Sequence, residues 1–139
     1  MGKNIDTVHK FFEYYEKEDL VGMGSVMTED TVWHIPGHHP LAGQKRGKVE
    51  VLAFFKELQK SKFKADLLIL SENDNYVIDC HRGWGEFGGN SIDMNWVLLY
   101  RIENDLISEV QSFPGDQHAA DDFFWDAYPM KPVQTRLVG

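Results

Sequence analysis

The sequence predicts an α+β domain: a curved antiparallel sheet wraps around N-terminal helices and leaves a cone-shaped pocket between the two layers. Three observations support this. Apolar residues recur at helical spacing as far as Lys60, interrupted by one short strand. From Phe63 onward the pattern becomes four extended runs separated by turn residues, a meander. Gly83, Gly85, Gly88 and Gly89 fall where such a sheet must bend or turn sharply.

Asp6 or Thr7 is placed to cap a first helix, whose Val8, Phe11, Phe12 and Tyr15 follow the i, i+3, i+4, i+7 pattern. Lys10, Glu13, Glu16 and Lys17 cover its other face. A short second helix spans about Asp19 to Met27, with Leu20, Met23 and Met27 on one side and Gly22 and Gly24 weakening it. Thr31 to Ile35 reads as a strand, followed by a turn built from Pro36, Gly37, Pro40 and Gly43. Lys48 to Lys60 forms a third helix with Val51, Phe54, Phe55 and Leu58 inward. Strands follow over Lys64 to Leu70, Tyr76 to Phe87, Ser91 to Ile102 and Leu106 to Phe113. Asn73-Asp74-Asn75, Gly88-Gly89-Asn90 and Asn104-Asp105 join them. A closing helix over Gln117 to Asp126 presents Ala120, Phe123 and Phe124. Residues 1–128 thus read as a single domain, and Pro129 and Pro132 mark 129–139 as a C-terminal tail.

Composition narrows the function classes. A chain of 139 residues is long enough to bury a core without disulfides or metal. The formal net charge of −8, with no basic cluster larger than Lys45, Arg46 and Lys48, argues against nucleic acid and anionic membrane as partners. No apolar run reaches the roughly 18 residues of a membrane span, and Met1 to Asp6 lacks the apolar segment of a secretory signal. Cys80 stands alone, so a reducing, cytoplasmic setting is expected. Aromatic residues make up 13% of the chain, more than a single-layer core needs. They either line a cavity or fill the space between sheet and helices.

The order of elements resembles the nuclear transport factor 2-like superfamily, which has a cystatin-like α+β roll and includes ketosteroid isomerase, limonene epoxide hydrolase and SnoaL-type polyketide cyclases. Two stretches carry the resemblance. Thr31-Val32-Trp33-His34-Ile35-Pro36-Gly37 is similar to the isomerase segment in which a general base precedes a proline–glycine lip. Leu106-Ile107-Ser108-Glu109-Val110 through Asp116 and Phe124-Trp125 is similar to the SnoaL-like ending, where a strand runs into a pocket Asp. The resemblance implies a small-molecule pocket, no cofactor, and a homodimer formed through the meander strands.

It also implies site residues. His34 falls where the isomerases keep their base, and Asp116 falls near the cyclase acid/base, displaced by Pro114-Gly115. Each has a plainer alternative: His34 as a brace for loop backbone, Asp116 as the N-cap of the last helix. Phe11 and Leu98 stand where the isomerases carry their two oxyanion donors, so isomerase chemistry does not carry over. The epoxide-hydrolase set would draw on Asp79, Arg82, Asp93 and Arg101, but strand alternation sets Asp79 and His81 on one face of their strand and Arg82 and Trp84 on the other. On the next strand Met94, Trp96, Leu98 and Tyr100 form the more apolar face, leaving Asp93 to water or a partner. His34, His38, His39, His81 and His118 show no recognised ligand spacing, so no metal is expected. The expected site is therefore His34 as base with Asp116 as its partner, Trp33, Trp84 and Trp96 as walls, and Ser112 as a hydrogen-bonding group. The ligand would be a small apolar or aromatic metabolite. Pairing His34 with Asp116 requires Val32 and His34 to point inward together and Trp33 to pack at the lip. The rival reading is a non-catalytic binding or interaction module of the same fold.

Overall fold

The computed structural model describes residues 2–128, so the tail expectation concerns residues outside it. The order is α1 (Lys3–Glu16), α2 (Leu20–Ser25), β1 (Met27–Ile35), β2 (Gly43–Arg46), α3 (Gly47–Leu58), a single 3-10 turn (Gln59–Ser61), β3 (Lys64–Glu72), β4 (Tyr76–Phe87), β5 (Asn90–Glu103), β6 (Leu106–Pro114) and α4 (Gln117–Ala127). Two capping details follow the side-chain chemistry. Asp19 accepts a hydrogen bond from the Gly22 amide at 2.8 Å and starts α2. The first helix instead begins at Lys3, ahead of Asp6 and Thr7, and the Thr7 hydroxyl donates to the Asp105 carbonyl at 3.1 Å.

All six strands form one curved sheet in the order β2-β1-β6-β5-β4-β3. The meander β3 to β6 is antiparallel throughout. The sheet as a whole is mixed, because β1 runs parallel to β6, with Trp33 opposite Val110 and His34 opposite Gln111. Helix α3 carries the chain from the edge strand β2 to the opposite edge β3, and the meander then works back until β6 lies beside β1 in the same direction. The edge strand β2 was not expected. It carries Gly43-Gln44-Lys45-Arg46, which has no apolar alternation, and its strand pairing is to Val32–Ile35.

The core is centred on Phe11 of α1, whose ring lies 5.5–6.5 Å from those of Phe12, Tyr15, Trp33, Phe55 and Tyr100. Phe11 thereby joins α1, α3 and the concave face of the sheet, and its burial stabilises the fold by about 2–3 kcal/mol. A second cluster of Ile92, Ala120, Phe123, Phe124 and Ala127 seats α4 on the far end of β5. Among the described residues no helix is long and apolar enough to cross a membrane.

Helix α4 also fastens the loop after β1. The Asp121 carboxylate accepts from the His38 amide at 3.0 Å, the Gln117 amide donates to the Pro36 carbonyl at 3.4 Å, and the Trp125 indole donates to the His38 carbonyl. Gly37 passes beneath these side chains with φ +106°, and a Cβ there would lie 2.3 Å from both Asp121 Oδ1 and Gln117 Nε2. Gly37→Ala is expected to destabilise the protein by about 1–3 kcal/mol, measured by urea unfolding. An unchanged midpoint would mean that the loop is not fastened in this way.

Candidate functional site

Between the concave face of the sheet and α1, α3 and α4 lies a predominantly apolar cavity of about 100 Å³. Strand alternation decides what reaches it. The residues in phase on β1 are Thr31, Trp33 and Ile35, and Trp33, Ile35, His81, Trp96, Leu98, Ser112 and Pro114 all line the cavity. Gly83 matters here because a Cβ would sit 2.7 Å from Trp96 Nε1; its absence lets the indole lie along β4 and donate to the Gly83 carbonyl at 3.2 Å.

One polar wall residue, His81, ends a chain of three hydrogen-bonded side chains. Asp79 has no solvent exposure. One of its oxygens accepts from the Tyr100 hydroxyl at 2.5 Å, and the other lies 2.6 Å from His81 Nδ1. A buried carboxylate needs such donors. With Nδ1–H committed to Asp79, neutral His81 keeps its Nε2 lone pair free on a ring that lines the cavity and meets the edge of Phe12. Burial, and next the charge of Asp79, push the Tyr100 phenol far above its ordinary value, so Tyr100 stays a donor. Burial likewise raises the Tyr15 phenol, whose hydroxyl is already committed to the Phe63 carbonyl at 2.7 Å. Among the described residues, no group of three or more His, Cys, Asp or Glu side chains could hold a metal ion.

The SnoaL-like domain model matches residues 8–110, most of the chain. The chain belongs to the SnoaL-like family. A Mycobacterium tuberculosis protein described as uncharacterized is 25% identical over 126 residues, covering 88% of this chain and 95% of its own. Among solved structures, Bal32a from a soil-derived mobile gene cassette superposes with a TM-score of 0.83 at 26% identity, over 88% of this chain and 96% of that one. A protein of Jannaschia sp. described as a putative SnoaL-like polyketide cyclase has a TM-score of 0.73 at 17% identity, over 92% and 94% of the two chains. That last likeness shows the fold alone.

In this SnoaL-like cone the residues expected to act are partly dispersed. His34 does not face the cavity. Its Nε2 lies 2.6 Å from Glu109 Oε2 and its Nδ1 3.1 Å from Gln44 Nε2, on the outer face of the sheet. The expected phase of β1 is reversed: Trp33 is 2% exposed and packs on Phe11 and Phe55, because burying the indole outweighs burying an imidazole. Asp116 caps α4 by accepting from the Ala119 amide at 3.1 Å and does not line the cavity. The His34–Asp116 pairing is therefore not formed. Trp84 points outward with Arg82, whose guanidinium lies 4.2 Å from the indole centroid and which pairs with Asp93 through contacts of 2.9 and 2.6 Å. Trp33, Trp96 and Ser112 do line the cavity, and so do Phe11 and Leu98. The buried Nε1 of Trp33 has no hydrogen-bond partner, so its N–H is an uncommitted donor.

Three residues that matter here carried little weight in the sequence. His81 and Asp79 sit two apart on one strand face, which was a readable signal. His39, from a loop where exposure is the default, is 8% exposed, packs against Phe124 with ring centroids 4.7 Å apart and tilted by 33°, and accepts from the Leu41 amide through Nδ1 at 3.1 Å. Burial lowers its pKa below the ordinary 6.5, with the nearby Asp121 charge opposing. The unfolded chain therefore binds a proton that the folded chain resists. Stability from this site is present above about pH 6.5 and is lost as pH falls from there toward the depressed folded value. Thermal unfolding between pH 5 and 7 should show that loss in the native protein and a shallower one in His39→Phe. Parallel profiles would mean that His39 folds as readily charged as neutral.

Proposed function

We propose that the cone binds a small apolar, oxygenated metabolite and moves a proton on it without a cofactor, as an isomerase, cyclase or hydrolase, with His81 as the proton-transfer group. The supporting observation is the His81–Asp79–Tyr100 chain: an imidazole at a largely apolar wall, with its tautomer set by a buried carboxylate. In the simplest case, His81 Nε2 takes a proton from a carbon beside a carbonyl and the electron pair moves into the enolate. The same N–H then returns the proton at another carbon, so nothing is gained or lost. Asp79 would stabilise the imidazolium while it exists, and Tyr100 would hold the second carboxylate oxygen. The polyketide-cyclase description of a fold neighbour is compatible with this class of reaction.

The same cone as a non-catalytic binding module is favoured by one observation: hydrocarbon from Phe11 and Leu98 stands where the isomerases keep oxyanion donors. Turnover distinguishes the two. With a carbonyl metabolite found by screening for solvent-deuterium uptake, His81→Gln should lower exchange by about 10²–10⁴-fold. Asp79→Asn should lower it by roughly 10²-fold or more, and His34→Ala should leave it unaltered. Full activity in folded His81→Gln would remove His81 from the chemistry, and no exchange with any metabolite that binds would favour the module.

A homodimer through the outer face of the sheet is part of this proposal. Ile69, Cys80, Val97 and Phe113 form one apolar row across four strands, with Ile78 and Leu99 beside it. Ile69 is 62% exposed, Phe113 46% and Ile78 45%, which is costly to leave in water. Free Cys80 in that row suits a reducing, cytoplasmic setting. Sedimentation at micromolar concentration should give twice the monomer's 16.0 kDa, and Phe113→Arg should shift it toward the monomer. A native mass of one chain would remove the dimer.

A further inference from the structure

Resting on the proposed function, we infer that the cavity selects a single-ring weak acid, a phenol or cyclic enol, whose hydroxyl donates to His81 Nε2 and whose second, non-adjacent oxygen meets Ser112. Four observations lead to this class.

Size is the first. A volume of about 100 Å³ is of the order that holds one six-membered ring, since an engineered apolar cavity of about 150 Å³ accommodates benzene. The walls around it are the rings of Phe11, Phe12, Phe54, Phe55, Phe63 and Trp96, which favour a flat guest.

Charge is the second. The chain carries 22 acidic against 14 basic side chains. Yet among the described residues no carboxylate lines the cavity, where the basic side chains are His39, Lys64 and His81. Asp79 lies behind His81, occupied by its two donors. A cationic ring would find no counter-ion here, whereas negative charge developing on oxygen would meet no repulsion.

The third is the direction of the hydrogen bonds. With Nδ1 turned to Asp79, neutral His81 offers an acceptor at the cavity, so the group that fits it must bring the proton. The fourth is Ser112. It is 7% exposed and lines the cavity, the hydroxyl-bearing side chain on the β6 part of the wall. Leu98 pairs with Asp79 on β4 and with Ser112 on β6, and His81 lies two residues along β4, opposite Trp96. His81 and Ser112 thus rise from strands about 9.6 Å apart and are offset by two residues along them, a separation that suits two oxygens on different ring carbons.

The test is equilibrium binding, followed by calorimetry and tryptophan quenching, with four probes: 4-nitrophenol, nitrobenzene, benzylamine and estradiol. The expected result is that 4-nitrophenol binds at least tenfold more tightly than each of the other three. His81→Phe and Ser112→Ala should each remove most of that preference over nitrobenzene; Ser112→Ala should keep the melting temperature within a few degrees, while His81→Phe, which also deprives Asp79 of a donor, should melt lower and is read below its transition. Equal binding of nitrobenzene overturns the role of the hydroxyl, equal binding of benzylamine the charge argument, and tighter binding of estradiol the size limit. Binding is read without turnover, which keeps the two claims separable. Phenol-selective binding with no proton exchange on any bound carbonyl compound upholds this inference and defeats the acid/base reading. Exchange that depends on His81, with no preference among the four probes, does the reverse.

Discussion

A carboxylate with no exposure to water is the constraint around which the concave wall is arranged. Asp79 is tolerated because Tyr100 and His81 each supply a donor, and those donors come from the neighbouring strand and from two residues along its own. Removing either would leave a buried acceptor unmet, at a cost of about 1–3 kcal/mol or more. The hydrogen bonds therefore do two things together. They hold β4 and β5 in the register that puts Tyr100 opposite Val77, and they present the imidazole edge to the cavity.

Hydrophobic packing determines where that edge looks. Phe11 links α1 to α3 and to Trp33 and Tyr100, so one side of the cavity belongs to the main core. Phe124 and Ala120 of α4, from the second cluster, supply the other side. The cavity is the seam between two cores that do not merge. Helix α4 closes one end of this seam and also fastens the loop that carries His39.

Much of the fold was legible in the sequence because it is local. The hairpin β4–β5 turns at Gly88 and Gly89, both at positive φ, and β5–β6 at Asn104 and Asp105, likewise. Turn chemistry and period-two alternation place such strands to within one or two residues. The parallel neighbours β1 and β6 are separated by most of the chain, and nothing near Trp33 or Val110 announces their pairing. The site was less legible for a related reason. Trp33 and His34 are adjacent, and only the packing against Phe11 and Phe55 decides which turns inward. Once that is decided, His34 goes to Glu109 and the polar role passes to His81. Asp79 and His81 were visible as one face of β4, but the meaning of that face depends on Tyr100, twenty-one residues away along the chain.

Tyr100, Asp79 and His81 all lie on the single hairpin formed by β4 and β5. The polar machinery is thus one module with one degree of freedom, the offset between two strands. Sliding that offset by one residue would turn a whole strand face over, carrying its acid, imidazole or phenol to the outer surface and bringing residues such as Cys80 or Arg82 inward. Length changes at the Gly88–Gly89 tip leave the offset alone, whereas an inserted residue between Asp79 and Gly83 does not. Divergence in this family should therefore tolerate longer or shorter tips and resist odd-numbered insertions in the strands that flank them.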